Sequence, residues 1–171
     1  ATAGGRHPHQ PPVTASRLRR GAQQAAARTG QATPNSHGMQ TCGMEGTRPG
    51  LSGNEILASV RQRMKAAGID GTMYTHPIGM NGHGAGPLIG LWDYQDGVPD
   101  RGEARVIPSM WFSIELQATT PVPEWGGQPV RMAQEEDMII GGDGKTRWGL
   151  KRQDRPFLVR GRTAGPANPR H

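Results

Sequence analysis

The 171-residue chain has one cysteine, Cys42, so no internal disulfide framework and no cysteine-built zinc site is available to it. No apolar run approaches the roughly 18 residues of a membrane-spanning helix, and the arginines near the start are not followed by the apolar core of a secretory signal. Aromatic residues are scarce at 5%, and apolar residues make up only 33%. Residues 1–48 contain no isoleucine, phenylalanine, tryptophan or tyrosine, and the first aspartate is Asp70. There is no RNA-binding aromatic pattern, zinc-finger spacing or basic helix to suggest a nucleic-acid module.

What is abundant is glycine, 26 residues, and proline, 15, a share approaching that of low-complexity chains. The net charge of +6 is distributed unevenly. Residues 1–50 hold six arginines and one acid, Glu45, whereas the remainder is nearly balanced. The basic excess thus lies in the segment least able to bury apolar surface, which weakens it as a sign of a nucleic-acid face. Residues 1–48 are expected to be disordered, with at most a frayed helix over residues 15–28 and an unpaired thiol at Cys42 in a loose segment.

From residue 49 the texture becomes that of a folded α+β domain, expected over 49–162 and followed by a flexible tail, 163–171. Ser52 or Asn54 can cap a helix whose Ile56, Leu57, Val60 and Met64 form an apolar stripe, stopping at Gly68. IDGTMYTH reads as a short strand leading into HPIGMNGHGAG, residues 76–86, and the chain is irregular from Gly84 to Pro108. SMWFSIELQAT alternates: Met110, Phe112, Ile114 and Leu116 point one way, Trp111, Ser113, Glu115 and Gln117 the other. PVPEWGGQPV is a turn-rich connection. VRMAQEEDMIIGGDGKTRWGLKRQ reads as strand, GGDG turn and strand, and FLVRGR is placed to close the sheet.

The residues able to carry chemistry are His76, His83, Glu115, Glu135, Glu136 and Asp137. A histidine between glycines is reachable, because no neighbouring side chain covers its imidazole. Glu115, inside a segment apolar enough for a central strand, must face solvent or hold a partner, since an isolated buried carboxylate is very costly. One imidazole with carboxylates from two strands is a donor set that Mn, Co, Fe or Zn accepts. An outward charged face and a strand-initial acid pair would produce the same letters.

HPIGMNGHGAGPLIGLWD, WFSIELQATTPVPEWGGQPVRMAQEEDMII and RWGLKRQDRPFLVR resemble the C-terminal half of the pita-bread metallopeptidases, and especially the Xaa-Pro peptidase-like members. That group includes Xaa-Pro aminopeptidase, prolidase, methionine aminopeptidase and creatinase. The resemblance covers about residues 49–162. It implies a curved antiparallel-rich sheet with flanking helices and two divalent metal ions (Mn, Co or Zn) held by two aspartates, one histidine and two glutamates. It also implies hydrolysis of a peptide near its N-terminus. By the motif, His83 matches the metal-binding histidine, Glu115 the first glutamate and Glu135 the second, with Glu136 as the alternative. His76 is expected beside the substrate as a hydrogen-bond donor or proton shuttle, with Glu115 relaying the proton. The family often has a further histidine seven residues after the metal-binding one, where this chain has Gly90.

The paired aspartates should lie well upstream of His83, and residues 1–69 contain none. The expectation is therefore a fragment without peptidase activity, with residues 1 to about 45 coming from a shifted reading frame or an unrelated join. Two other classes stay open. A non-catalytic homologue would keep the fold without metals, and a basic nucleic-acid binder would depend on residues 1–48 and on low salt.

Overall fold

The computed structural model describes residues 34–154. In chain order they form α1 (34–46), α2 (Gly53–Ala66), β1 (Asp70–Pro77), β2 (Trp111–Val122), β3 (Gln128–Ile140) and β4 (Thr146–Trp148). The four strands make one antiparallel sheet in the order β1-β2-β3-β4. This is an α+β architecture, as expected. The helix expected over residues 15–28, the strand expected from FLVRGR and the tail lie outside the described residues.

The alternation in β2 decides which way the sheet faces. Phe112, Ile114, Leu116 and Ala118 are buried, and they join Met73, Met138 and Ile140 with the α2 stripe Ile56, Leu57, Val60 and Met64 in one core. The helices therefore cover one face, and Ser113, Glu115 and Gln117 belong to the other. Ser52, not Asn54, caps α2. Its Oγ accepts from the Glu55 amide at 3.2 Å while its own amide donates to Glu55 Oε2 at 2.7 Å, a reciprocal capping box. Asn54 instead reaches across to the long loop, where Val98 N donates to its Oδ1 at 2.7 Å and its Nδ2 donates to Val98 O at 3.1 Å. PVPEWGGQPV is half strand and half turn: β2 runs to Val122, a single 3-10 turn covers Pro123–Trp125, and Gly126 and Gly127, both at positive φ, bring the chain back into β3. The GGDG turn is present, closed by Gly141 N donating to Lys145 O at 2.9 Å.

The expectation of disorder over residues 1–48 is corrected for 34–48. Residues 34–46 are helical, and Ser36, Met39, Gln40 and Thr47 are buried. The missing isoleucines and aromatics misled because this helix docks by close backbone approach and not by a large-residue stripe. A Cβ on Gly43 would lie 3.1 Å from Met73 Cε, and one on Gly46 would lie 2.6 Å from Val60 Cγ2. Such contacts bring the α1 backbone almost against the sheet and α2, with Met39 filling the space over Gly71. Cys42 packs against this core instead of sitting in a loose segment. Arg152 ties the chain after β4 to the same helix, donating to Gln40 Oε1 at 2.9 Å and lying 5.0 Å over the Trp148 ring.

Two outcomes follow from this packing. Gly43→Leu should lower the unfolding free energy by about 1–3 kcal/mol through overpacking, read from urea melts, whereas a leucine at exposed Ala58 should leave it nearly unchanged. Burial first, and then the nearby Glu45 carboxylate, hold the Cys42 thiol above its ordinary value. The stability tied to the neutral thiol is therefore complete below the unfolded-state value and is lost as pH rises through the folded one. Alkylation of Cys42 should be slow at neutral pH, with a rate midpoint above that of the urea-unfolded chain; equal midpoints would contradict the packing.

Candidate metal centre and its cleft

Pairing across three strands builds the uncovered face. His76 lies opposite Ser113, Tyr74 opposite Glu115 and Thr72 opposite Gln117, and on the other side of β2 Glu115 lies opposite Glu135 and Ser113 opposite Asp137. Directly opposed residues project to the same face. Glu135 therefore shares the face of Glu115. Glu136 pairs with Ile114 on the helix side, where its Oε1 accepts from Gln153 N at 3.0 Å. The register therefore puts Glu135, and not Glu136, on the face of Glu115.

HPIGMNGHGAG is a tight turn. Gly84 N donates to Pro77 O at 2.7 Å and Gly82 N to Gly79 O at 3.1 Å. A Cβ on Gly79 would lie 2.7 Å from His83 O, so the two arms of the turn touch through backbone. Arg101 clamps the far arm, donating from Nε to Gly86 O at 3.2 Å and from Nη2 to Gly84 O at 3.3 Å. The result brings His83 back over His76, the rings stacked with centroids 4.2 Å apart and planes 13° from parallel.

His76 is buried, and both of its nitrogens are engaged. Nδ1 is 3.0 Å from Pro77 O and Nε2 is 2.8 Å from Glu115 Oε1. A carbonyl only accepts, so Nδ1 carries a hydrogen. The second contact then needs a further proton, on Nε2 or on the carboxyl oxygen. His83 is exposed and makes no hydrogen bond to another described residue, which leaves its imidazole nitrogens open to a ligand. Donor atoms of His76, His83 and Glu115 lie within 4.8 Å of one another. Glu135 accepts from Ser113 Oγ at 2.7 Å, directly opposite Glu115. Two carboxylates so opposed repel, and a shared cation would relieve the repulsion. Glu135 and Asp137 are on this face but outside the three-residue grouping.

Beside these groups is a cleft of about 390 Å³ whose lining includes Thr72, Tyr74, Trp92, Glu115, Gln117 and Glu135. Burial, and next Glu115, raise the Tyr74 phenol above its ordinary value, with Arg101 opposing. Tyr74 is thus a neutral hydroxyl donor at physiological pH. Reading alternation through TMYTH would have placed it with His76. Trp92 had no such signal, because it comes from the irregular stretch.

The sequence profile of metallopeptidase family M24 matches residues 22–141. The chain belongs to this family. The match begins at residue 22, so it includes part of the segment expected to come from a shifted reading frame or an unrelated join. No curated protein sequence matches the chain. Among solved structures it is similar to a dipeptidase from Pyrococcus horikoshii OT3, with 25% identity and a TM-score of 0.50 over 75% of this chain. The matched part is 32% of the dipeptidase, so the chain spans about a third of that protein's length. The fold and family are those of a metal-dependent peptidase, of which the described residues form one portion.

The M24 turn should depend on Arg101. Arg101→Ala is expected to speed amide hydrogen exchange at Gly84 by about tenfold, the loss of a loop-ordering contact worth about 1.4 kcal/mol, with little change in melting temperature. Unchanged exchange would show that the turn closes without the clamp.

Proposed function

We propose that this chain supplies part of a divalent metal centre for hydrolysing a peptide bond near a substrate's N-terminus, with Xaa-Pro peptides as the substrate class. The observation that carries the reading is the convergence of His83 and Glu115 on the open sheet face with Glu135 directly opposite. Imidazole nitrogen with carboxylate oxygen suits Mn, Co or Zn. His83, Glu115 and Glu135 would hold the ion, while His76, with both nitrogens already bonded, is better suited to proton handling than to ligation. A divalent ion there supplies Lewis acidity, polarising the substrate carbonyl and acidifying water. The His76 Nε2 and Glu115 Oε1 pair holds a proton that can pass to the leaving amine, and the Pro77 carbonyl fixes the ring for that exchange.

The same reading makes the chain by itself inactive. Asp70, the first aspartate, pairs with Thr119 at the opposite end of β1 from His76, some six residues and roughly 20 Å along the strand. Among the described residues no aspartate joins the grouping of His76, His83 and Glu115.

Titration with Mn(II), followed by electron paramagnetic resonance, should show saturable binding that weakens roughly tenfold or more in His83→Ala and in Glu115→Gln. The chain should leave Xaa-Pro peptides intact. Binding indifferent to His83 would sink the ligand assignment, and chelator-sensitive hydrolysis would overturn the inactivity.

A further inference from the structure

The cleft has one wall that belongs to neither the ligand set nor the proton pair. Trp92 stands at the apex of a two-residue turn, closed by Leu91 N donating to Tyr94 O at 3.3 Å and Tyr94 N to Leu91 O at 3.0 Å. Its side of the loop is pinned along the free edge of β1. Ile89 exchanges backbone hydrogen bonds with Thr75 at 3.0 and 3.1 Å. Two residues along that edge the Gln95 side chain takes the place of a strand. Its Oε1 accepts from Met73 N at 3.0 Å, and its Nε2 donates to Met73 O at 2.9 Å and also to Leu91 O. Arg61 on α2 holds the same Oε1 at 3.3 Å. Between them Gly90, at φ +75°, passes so close that a Cβ would be 2.3 Å from Met73 O. Any other residue would lift the turn off the strand.

This bracing presents an indole that is 72% exposed, in a cleft where Tyr74 is the other aromatic lining residue. Water gains nothing from an ordered indole, whereas an apolar side chain laid against it would be desolvated and gain aromatic contact. The cleft is mixed in character, with Leu116 and Ala133 beside the two aromatics and Glu115, Gln117 and Glu135 among its polar groups, so an apolar side chain and a polar backbone can both be accommodated.

We propose that Trp92 is a specificity-determining residue that selects substrates with a bulky apolar or aromatic side chain next to the scissile bond, and that Gln95 is the positioning residue that holds Trp92 there. The inference rests on the peptidase reading above and deepens it.

The test uses the full chain with Mn(II) and ¹⁵N-labelled tryptophan, titrated with the dipeptides Phe-Pro and Gly-Pro and followed through the indole N–H resonances. Trp92→Ala identifies the Trp92 signal by its loss. Phe-Pro should shift that signal and bind about three- to tenfold more tightly than Gly-Pro, the range of an aromatic contact. Trp92→Ala should bring the two affinities together. Gln95→Ala should narrow the same ratio and broaden the Trp92 signal, which a merely stabilising residue would not do. Equal affinities in the unmodified chain, or a preference surviving Trp92→Ala, overturn the role of Trp92 while leaving the peptidase reading in place. Failure of both dipeptides to bind overturns that reading and this inference together.

Discussion

Burial of Phe112, Ile114, Leu116 and Ala118 against the helices is the constraint on which the site depends. A strand has a two-residue period, so once these side chains enter the core, Ser113, Glu115 and Gln117 must leave by the other face. The long pairing of β2 with β3 carries the same two-sidedness outward. Met138 and Ile140 go to the core while Glu135 arrives opposite Glu115. A slip of one residue would put Glu136 there and drive Glu135 towards the helices. The carboxylate pair is thus held in place by apolar packing on the reverse side of the sheet.

The second support is backbone proximity. Gly43 and Gly46 let α1 settle on the sheet and α2, and Gly79 and Gly84 let the arms of the histidine turn touch. Glycine in a helix interior costs about 1 kcal/mol relative to alanine, so its presence in α1 is explained by the contact it permits. In the turn, the same closeness stacks His83 on His76 and brings a His83 nitrogen within 4.8 Å of the donor atoms of His76 and Glu115. The loop's other amide clamps, Asn54 and Gln95, act as substitutes for backbone, closing hydrogen bonds at Val98 and Met73 that a neighbouring strand would otherwise satisfy. Gln95, with Ile89 beside it, also covers the free edge of β1, which would otherwise be open to pairing.

The two histidines, given separate roles by the family resemblance, also differ in their surroundings. Both histidines lie within ligand distance of Glu115, yet one is buried and doubly bonded while the other is exposed with open nitrogens. Burial and hydrogen bonding, not residue type, make the two imidazoles chemically different.

Much of this M24 portion was legible from its letters. Strict alternation in SMWFSIELQAT determined the two faces of β2, the stripe of α2 determined its buried side, and the ordered run of His83, Glu115 and the QEED acids pointed to a metal-dependent peptidase. The first two signals are local, because they follow from the periods of strand and helix, whereas the third is a family resemblance. The choice between Glu135 and Glu136 required the cross-strand register. The folding of 34–46 required knowing what its glycines lie against, and the position of Trp92 required a side-chain amide binding a distant strand edge. Such features depend on partners far away in sequence, and residue spacing carries no record of them. The sequence by itself determined which chemistry was available; tertiary structure decided which residues share a face, how closely backbones approach and which imidazole stays open.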